Sequence, residues 1–315
     1  MKILFIRFGK AGDLIVLTPI LEVLKKNKIK VSFLMSKKFY EILEGNPSIE
    51  KFFFIEDNFF ENIKKLRKEK FDIVFDFNKK ILSTLYSILL LPAKIKRPRK
   101  NSIRRKLAVL FKIKPKGFHF SEIFFESIKK NLRINGELPM PFLYNEKKYK
   151  GLPENYAVFF PGGFFEKRKW PIDFYEKLGE MLNEKLNIKL VILGDEKDKE
   201  EKGFENKIFI DLRGKTSWKE TFYIVKNSNF VVSNDTVGVQ IAEAYKKPVF
   251  AIYGPTLPEF GFKPRGNGVV FEKFLKCRPC SIHGEGKCKF DKKCLKEIKP
   301  EEVFKKIIEY LSKKS

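Results

Sequence analysis

The sequence predicts an α/β fold of two consecutive doubly wound parallel sheets. Three observations carry this. Short runs rich in β-branched and aromatic residues alternate with stretches whose apolar positions recur at helical spacing. The alternation pauses at a proline-rich stretch and then resumes. At 315 residues the chain is also long enough for two domains, each with its own core.

In the first half, KILFIRF (2–8), KVSFLMS (30–36), KFFFI (51–55) and FDIVFDF (71–77) read as strands. Between them, residues 13–26 and 61–70 have the apolar spacing of helices. Strand–helix alternation of this kind predicts parallel strands with helices on both faces. KIKRPRKNSIRRK (94–106) interrupts the pattern as a basic, poorly periodic segment. ELPMPFLYNEKKYKGLPENY (137–156) holds three prolines and reads as an interdomain connection, which sets domains of 1–150 and 151–315. Alternation resumes with a strand at 156–163, a helix at 172–185 and strands at 188–195 and 207–212. A helix at 218–226 follows. Then comes NFVVSNDTVGVQIAEAYKKPVFAIYGPT (229–256): a β-branched run, a polar break, a helix to about Tyr245 and a second apolar run at 248–253. Ligands of such sheets bind at the carboxyl ends of strands, beside helix N-termini, and two halves place the expected site in the cleft between them.

Apolar residues make up 43% and aromatics 15%, which excludes a disordered chain. No apolar run approaches the roughly 20 residues of a membrane span. The longest, 81–93, is broken by Ser83, Thr84, Ser87 and Pro92. Arg7 ends the first apolar stretch with no cleavage site after it, so a signal peptide is not expected and the default location is the cytoplasm. The net charge is +26, from 65 Lys and Arg against 39 Asp and Glu. It favours anionic partners: nucleic acid, anionic lipid or a phosphorylated substrate. Abundant Lys, Glu, Ile and Phe with few Met and two His also fit a thermophilic composition.

Three strand ends present polar groups. In RFGKAGDLI, Gly9 and Gly12 bracket a turn before Asp13. Asp13 is either a helix N-cap, worth about 1 kcal/mol, or a general base. The loop lacks Gly-x-Gly-x-x-Gly and the Walker lysine, so it supports neither a dinucleotide fold nor a P-loop. In FFPGGFFEKRKWP, Gly162 and Gly163 allow close backbone approach, and Lys167, Arg168 and Lys169 suit a diphosphate. The alternative for such a run is a solvated surface. In SNDT, Asp235 or Thr236 would serve as an N-cap, yet Ser233, Asn234, Asp235 and Thr236 offer more polar groups than one cap requires.

In order and spacing these stretches resemble the bacterial heptosyltransferases of glycosyltransferase family 9. The likeness runs from ILFIRFGKAGDLIVLTPIL through PGGFFEKRKWP, LRGKTSWKE, VVSNDT and PVFAIYGPT to a cysteine segment and IKPEEV. It implies a GT-B fold, two Rossmann-like domains facing a central cleft: an acceptor-side domain 1–150 and a donor domain 151–315, whose last helix is the element able to pack back on the first. It also implies metal-independent, inverting transfer of L-glycero-D-manno-heptose from ADP-heptose to the lipopolysaccharide inner core, without a cofactor. The acceptor would be Kdo-lipid A or its heptosylated form, and the enzyme peripheral on the inner face of the inner membrane. Carried over by position, Asp13 is the base in the Gly12 loop and Lys167 or Arg168 holds the diphosphate. Gly162, Gly163, Asn234, Asp235 and Thr236 line the donor site, and Glu196 or Asp198 meets the ribose. One departure stands out: the family's Asp-Thr-Gly-Pro-x-His becomes Asp-Thr-Val237-Gly238-Val239-Gln240 here. Gln240 can hydrogen-bond but cannot become a cation. An anionic glycolipid acceptor would give the positive charge a purpose, with 94–106 attracting acceptor and lipid at about 1 kcal/mol per cation.

All four cysteines, Cys277, Cys280, Cys288 and Cys294, lie in one segment with His283. Structural zinc, two disulfides and reduced thiols all fit the spacing. The segment also resembles that of the family members that add the second core heptose, and it reads as a structural staple. The rival readings are a nucleic-acid-binding protein, a noncatalytic scaffold, and a related transferase with another sugar donor or a protein acceptor. No RNP-type strand, zinc-finger spacing or helix-turn-helix pattern supports the first, so no nucleic-acid partner is expected.

Overall fold

The computed structural model describes residues 1–313. The chain runs β1 (Ile3–Ile6), α1 (Ala11–Ile15), α2 (Thr18–Lys26), β2 (Val31–Met35), α3 (Tyr40–Leu43), β3 (Ile49–Phe54), α4 (Phe59–Lys68), β4 (Ile73–Asp76), α5 (Ile81–Leu89), β5 (Lys94–Lys96), α6 (Ser102–Phe111) and α7 (Phe120–Leu132). It continues with β6 (Tyr156–Phe160), α8 (Ile172–Leu186), β7 (Lys189–Ile192), β8 (Phe209–Asp211), α9 (Trp218–Asn227), β9 (Val231–Asn234), α10 (Val237–Ala244), β10 (Val249–Ile252), β11 (Gly268–Phe271), α11 (Lys293–Lys296) and α12 (Pro300–Ser312). Two compact units result. The first holds Met1–Lys100 and Phe120–Asn145; the second holds Asn101–His119 and everything from Glu146 onward. The break therefore falls inside the proline-rich connection, and α6 belongs to the second unit.

The first unit's sheet is wholly parallel, in the order β3-β2-β1-β4-β5. Its central strands β1, β2 and β4 are buried on both faces, as a sheet covered by helices requires. Leu4, Ile6, Leu34 and Val74 meet Leu66 of α4 and Tyr86 of α5 in its core. The helical stretch 13–26 proves to be two helices, because Pro19 in the first turn of α2 has no N–H to continue α1. Asn58 caps α4 by accepting from the N–H groups of Phe60 and Glu61.

The second sheet is also parallel, in the order β11-β10-β9-β6-β7-β8. Phe159, Leu190, Val232 and Phe250 form its core with Leu178 and Leu182 of α8 and with Val303 and Ile307 of α12. The last helix thus packs within the second unit, against α8. Among the described residues no helix is long and apolar enough to cross a membrane.

The basic interruption at 94–106 contains β5 and the start of α6, and α5 and α7 also lie in stretches that the strand–helix alternation left blank. β5 is a three-residue edge strand. α6 buries only Arg105 and Ala108, so its apolar residues do not mark a core-facing stripe.

Candidate active site

In the first unit the strand order reverses between β1 and β4, the place where doubly wound sheets open a ligand crevice. β1 runs into a turn in which Gly9 takes φ +142°, a value side chains resist, and a Cβ there would strike the Phe39 ring. The turn delivers Asp13 to the first turn of α1. Asp13 does not cap that helix: the N-cap is Lys10, and no side chain caps it. Its Oδ2 pairs instead with Nη2 of Arg7. Arg7 is buried and donates from Nη1 to the Phe77 carbonyl at 2.7 Å. One guanidinium thus ties the ends of β1 and β4 together and orients the carboxylate beside them. Gly12 lies in the same short helix.

Asp76, the last residue of β4, is a wholly buried hub. It accepts from the backbone N–H groups of Asn78 and Lys79, both at 2.9 Å, and from Ser83 Oγ at 3.2 Å, and it forms an ion pair with Arg97 Nε at 3.3 Å. Lys100 donates to the Asn78 carbonyl at 3.0 Å. Burial, reinforced by Arg7 and opposed by Asp13, lowers the Lys100 ammonium to about 7. Burial also lowers Lys79. Cations therefore outnumber the two carboxylates here, an arrangement suited to an anionic ligand with a hydroxyl near Asp13.

In the second unit the order reverses between β6 and β9. Asn234, at the end of β9, is fully buried and bridges the two strands. Its Nδ2 donates to the carbonyls of Pro161 and Gly162, the latter at 3.1 Å. Its Oδ1 accepts from the Trp170 N–H and the Tyr175 hydroxyl, both at 3.1 Å. Both polar ends of the amide are thus engaged, and Asn234 shapes the Pro161-Gly162-Gly163 loop from within. Asp235 pairs with Arg168 at 2.8 Å and accepts from Thr256 Oγ1 at 2.8 Å. Thr256 O in turn accepts from buried Arg278, which also pairs with Glu272 at 3.1 Å. Thr236 is the N-cap residue of α10 without a side-chain capping bond, and its hydroxyl lies 3.1 Å from Ser233 Oγ.

The three cations of EKRKW have separate fates. Lys169 pairs with Glu201 at 2.8 Å and Glu166 at 3.4 Å, and Arg168 pairs with Asp235. Lys167 is 9% exposed and, among the described residues, has no carboxylate in ion-pair range. Its side chain is packed along its length, and its ammonium, unclaimed by a carboxylate, is available to an incoming anion.

Asp198 reaches the same loop: a Cβ on Gly162 would collide with its carboxylate. Asp198 accepts from the Asp195 N–H at 3.0 Å, and burial raises its pKa. Arg213 steadies that segment by donating to the carbonyls of Asp198 at 2.7 Å and Glu201 at 2.9 Å. Glu196 is exposed, paired with Lys199 at 2.9 Å and set beside Gly214. Gln240 is buried within α10.

The residues named from sequence therefore gather at two switch points: Gly12 and Asp13 in the first unit, and Gly162, Gly163, Lys167, Arg168, Asp198, Asn234, Asp235 and Thr236 in the second. Glu196 lies exposed beside Gly214, and Gln240 lies buried in the same helix that Thr236 begins. Arg7, Asp76, Arg213, Thr256 and Arg278 complete the sites without a role assigned from sequence, whereas Lys100 belongs to the basic stretch 94–106 expected to attract the acceptor. Arg7 and Thr256 sat inside the quoted motifs, but their partners lie 70 and 21 residues away along the chain.

The cysteine segment folds onto this second site, with the Cys280 N–H donating to the Pro255 carbonyl at 2.9 Å. All four cysteines are free thiols. Burial raises Cys280 and takes Cys294 up to about 11. Among the described residues no group of three or more His, Cys, Asp or Glu side chains is placed to hold a metal ion.

Known proteins resemble this chain to different depths. The chain is 29% identical over 165 residues to lipooligosaccharide heptosyltransferase 2 of Haemophilus influenzae, covering 49% of this chain and 47% of that protein. The match thus spans about half the length of that relative. The structure of E. coli ADP-heptose lps heptosyltransferase II superposes with a TM-score of 0.75 over 100% of this chain and 99% of that one, at 17% identity. E. coli heptosyltransferase WaaC, solved with ADP, gives 0.71 over 98% and 100%, at 21% identity. At such identities the two superpositions speak for the fold, which is GT-B. The family follows from the sequence itself: residues 60–289, most of the chain, match glycosyltransferase family 9 (heptosyltransferase), and the protein belongs to that family.

Proposed function

We propose that the protein transfers L-glycero-D-manno-heptose from ADP-heptose to the lipopolysaccharide inner core, with inversion. The acceptor is Kdo-lipid A already carrying one heptose. The observation that carries the donor half is Lys167, which among the described residues has no carboxylate partner and precedes in sequence the Arg168 that pairs with Asp235. A diphosphate supplies the missing charge, and the WaaC relative was solved with ADP. The likeness to a heptosyltransferase 2 supports the second heptose as the step.

The acceptor hydroxyl gives its proton to Asp13 as its oxygen bonds to the anomeric carbon. The bond from that carbon to the β-phosphate oxygen breaks, and ADP leaves with the electron pair. Lys167, Arg168 and the N–H groups at the start of α10 offset the charge that develops on the leaving phosphate. Asp198 is the ribose contact of this reading. The cations Arg7, Lys79, Arg97 and Lys100 receive the carboxylates and phosphates of the acceptor. Such an acceptor is membrane-anchored, so the enzyme works at the inner face of the inner membrane.

The test incubates wild type, Asp13→Ala and Lys167→Ala with ADP-heptose and either Kdo-lipid A or its monoheptosylated form, with products read by mass spectrometry. Transfer to the monoheptosylated lipid is expected, falling about 10²-fold or more in Asp13→Ala while ADP binding persists. In Lys167→Ala, ADP affinity should fall as well. Transfer to Kdo-lipid A alone would reassign the enzyme to the first heptose. No transfer with ADP-heptose still bound would sink the acceptor.

A further inference from the structure

Between Asp76 and Glu122 the chain carries no carboxylate side chain but thirteen Lys and Arg. The same stretch holds most of the exposed large hydrophobic side chains among the described residues. Soluble proteins scatter such residues singly, and a contiguous cluster marks a surface built to be covered.

α6 shows the pattern most plainly. Arg105 and Ala108 face inward, and Ala108 packs on Leu257 and Phe260. Ile103, Leu107, Leu110 and Phe111, spaced at i, i+4, i+7 and i+8, form the opposite stripe and are 76%, 45%, 69% and 64% exposed. Arg104 and Lys106 flank that stripe, one on each side, and among the described residues neither has an ion-pair partner. Beyond the helix, Lys112 donates to the Pro279 carbonyl at 3.0 Å, and Lys114 pairs with Glu272 at 2.8 Å and Glu259 at 3.2 Å. Those two lysines anchor the helix end to its own unit and leave the apolar face outward. In the first unit α5 has a stripe of its own: Ile81, Leu85 and Ile88 are 91%, 42% and 51% exposed.

We infer that the outward face of α6 inserts into an anionic lipid bilayer, lying in the interface plane with Arg104 and Lys106 at the headgroups. Charge chooses this occupant. A second copy would bring a segment rich in cations and devoid of carboxylates against its own like. A nucleic acid would complement the cations but leave four large apolar side chains in water. A bilayer with anionic headgroups satisfies both, and a helix with an apolar face and basic flanks is the form that binds it. The inference rests on the proposed lipid-linked acceptor for its purpose. It goes beyond electrostatic attraction by assigning the contact to one helix face and to hydrophobic insertion.

The test sediments the full chain with vesicles of phosphatidylethanolamine and phosphatidylglycerol, and with phosphatidylcholine vesicles as a control. Wild type should bind the anionic vesicles and keep part of that binding at high salt, where attraction by charge alone is screened. Leu110→Glu combined with Phe111→Glu, both at exposed positions, should lower partitioning by about tenfold or more at every salt concentration. Arg104→Ser combined with Lys106→Ser should weaken binding chiefly at low salt. Unchanged binding by the Leu110/Phe111 variant would overturn the inference, as would a dimer that this variant dissolves or complete release of wild type by salt. Heptosyl transfer to an acceptor dispersed in detergent reads the other question: the Leu110/Phe111 variant should retain it. Its absence from wild type as well would remove the transferase reading while the vesicle result stood.

Discussion

At the scale of single residues, the first unit's switch point turns on a titration near neutrality. Lys100 donates to the Asn78 carbonyl beside the Arg7–Asp13 pair, and burial with the nearby Arg7 charge holds its ammonium at about 7 against 10.5 for a free lysine. Its charge is therefore present below about pH 7 and lost above it. For an anionic acceptor, affinity should weaken as pH rises through that value, visible as a rising KM for acceptor with KM for donor flat. An anion bound beside Lys100 favours the protonated form and so shifts the midpoint upward in the complex. Lys100→Arg keeps the charge at all these pH values and should flatten the profile. A KM profile that persists unchanged in Lys100→Arg would sink the assignment. Stability runs the other way. Between about 7 and 10.5 the unfolded chain holds the proton that the folded chain has released, so this residue's contribution to stability grows with pH across that window. Lys100→Met should lose that growth, read as a flatter dependence of Tm on pH.

At the scale of elements, the second site depends on how closely α10 approaches β6. Gly238 sits in the first turn of α10, where a Cβ would strike the Phe160 ring and lie 2.8 Å from Ser233 Oγ. Gly238→Ala should destabilise by about 1–3 kcal/mol, since the root of the Phe160 ring, not the far end of a flexible side chain, would have to shift. Gly163→Ala is the control, because its Cβ would meet nothing nearer than 3.4 Å. Tm by differential scanning calorimetry compares them, and equal values would contradict the packing argument. Glycine 238 was visible in the sequence as a displaced glycine, but its collision partners come from other strands. The same limit applies elsewhere. Asp13, Arg168 and Asp235 were legible because each lies in a local motif at a strand end. Arg7's clamp, the Asp76 hub and the Arg278–Thr256–Asp235 relay were not, because their halves meet only after the sheet has formed. α8 and α9 were legible from apolar positions that face the core. α6 was not, because its large apolar residues face outward and its buried positions are an arginine and an alanine. α7 buries Phe120, Phe124, Phe125 and Ile128 at plain helical spacing, a periodicity present in the sequence itself.

For the whole molecule, the alternation of strands and helices was enough to anticipate two parallel sheets, and the proline-rich connection held the break at Asn145. The return of 101–119 to the second unit had no local signature, since it follows from what α6 touches. The global property that sequence states outright is charge. A net +26 means that the folded chain holds like charges closer together than the unfolded one does, and this repulsion opposes folding. Opposing it are ion pairs such as Lys51–Glu69 and Lys177–Glu301, whose lysines are half exposed or more. Pairs of that kind contribute about 0–1 kcal/mol each and are screened as readily as the repulsion is. The Arg213–Asp211 and Arg278–Glu272 pairs have almost fully buried guanidinium groups and are screened far less. Raising NaCl from low concentration to about 0.5 M, where the Debye length falls to roughly 4 Å, should therefore raise Tm, because the repulsion removed exceeds the weak pairs lost. The rise should shrink when cations in the carboxylate-free stretch are reversed, as in a variant combining Lys94→Glu, Arg104→Glu and Lys116→Glu, all at exposed positions. A Tm that falls with salt in wild type would mean that the local pairs outweigh the long-range field. A rise of equal size in both proteins would mean that the destabilising charge lies outside residues 77–121.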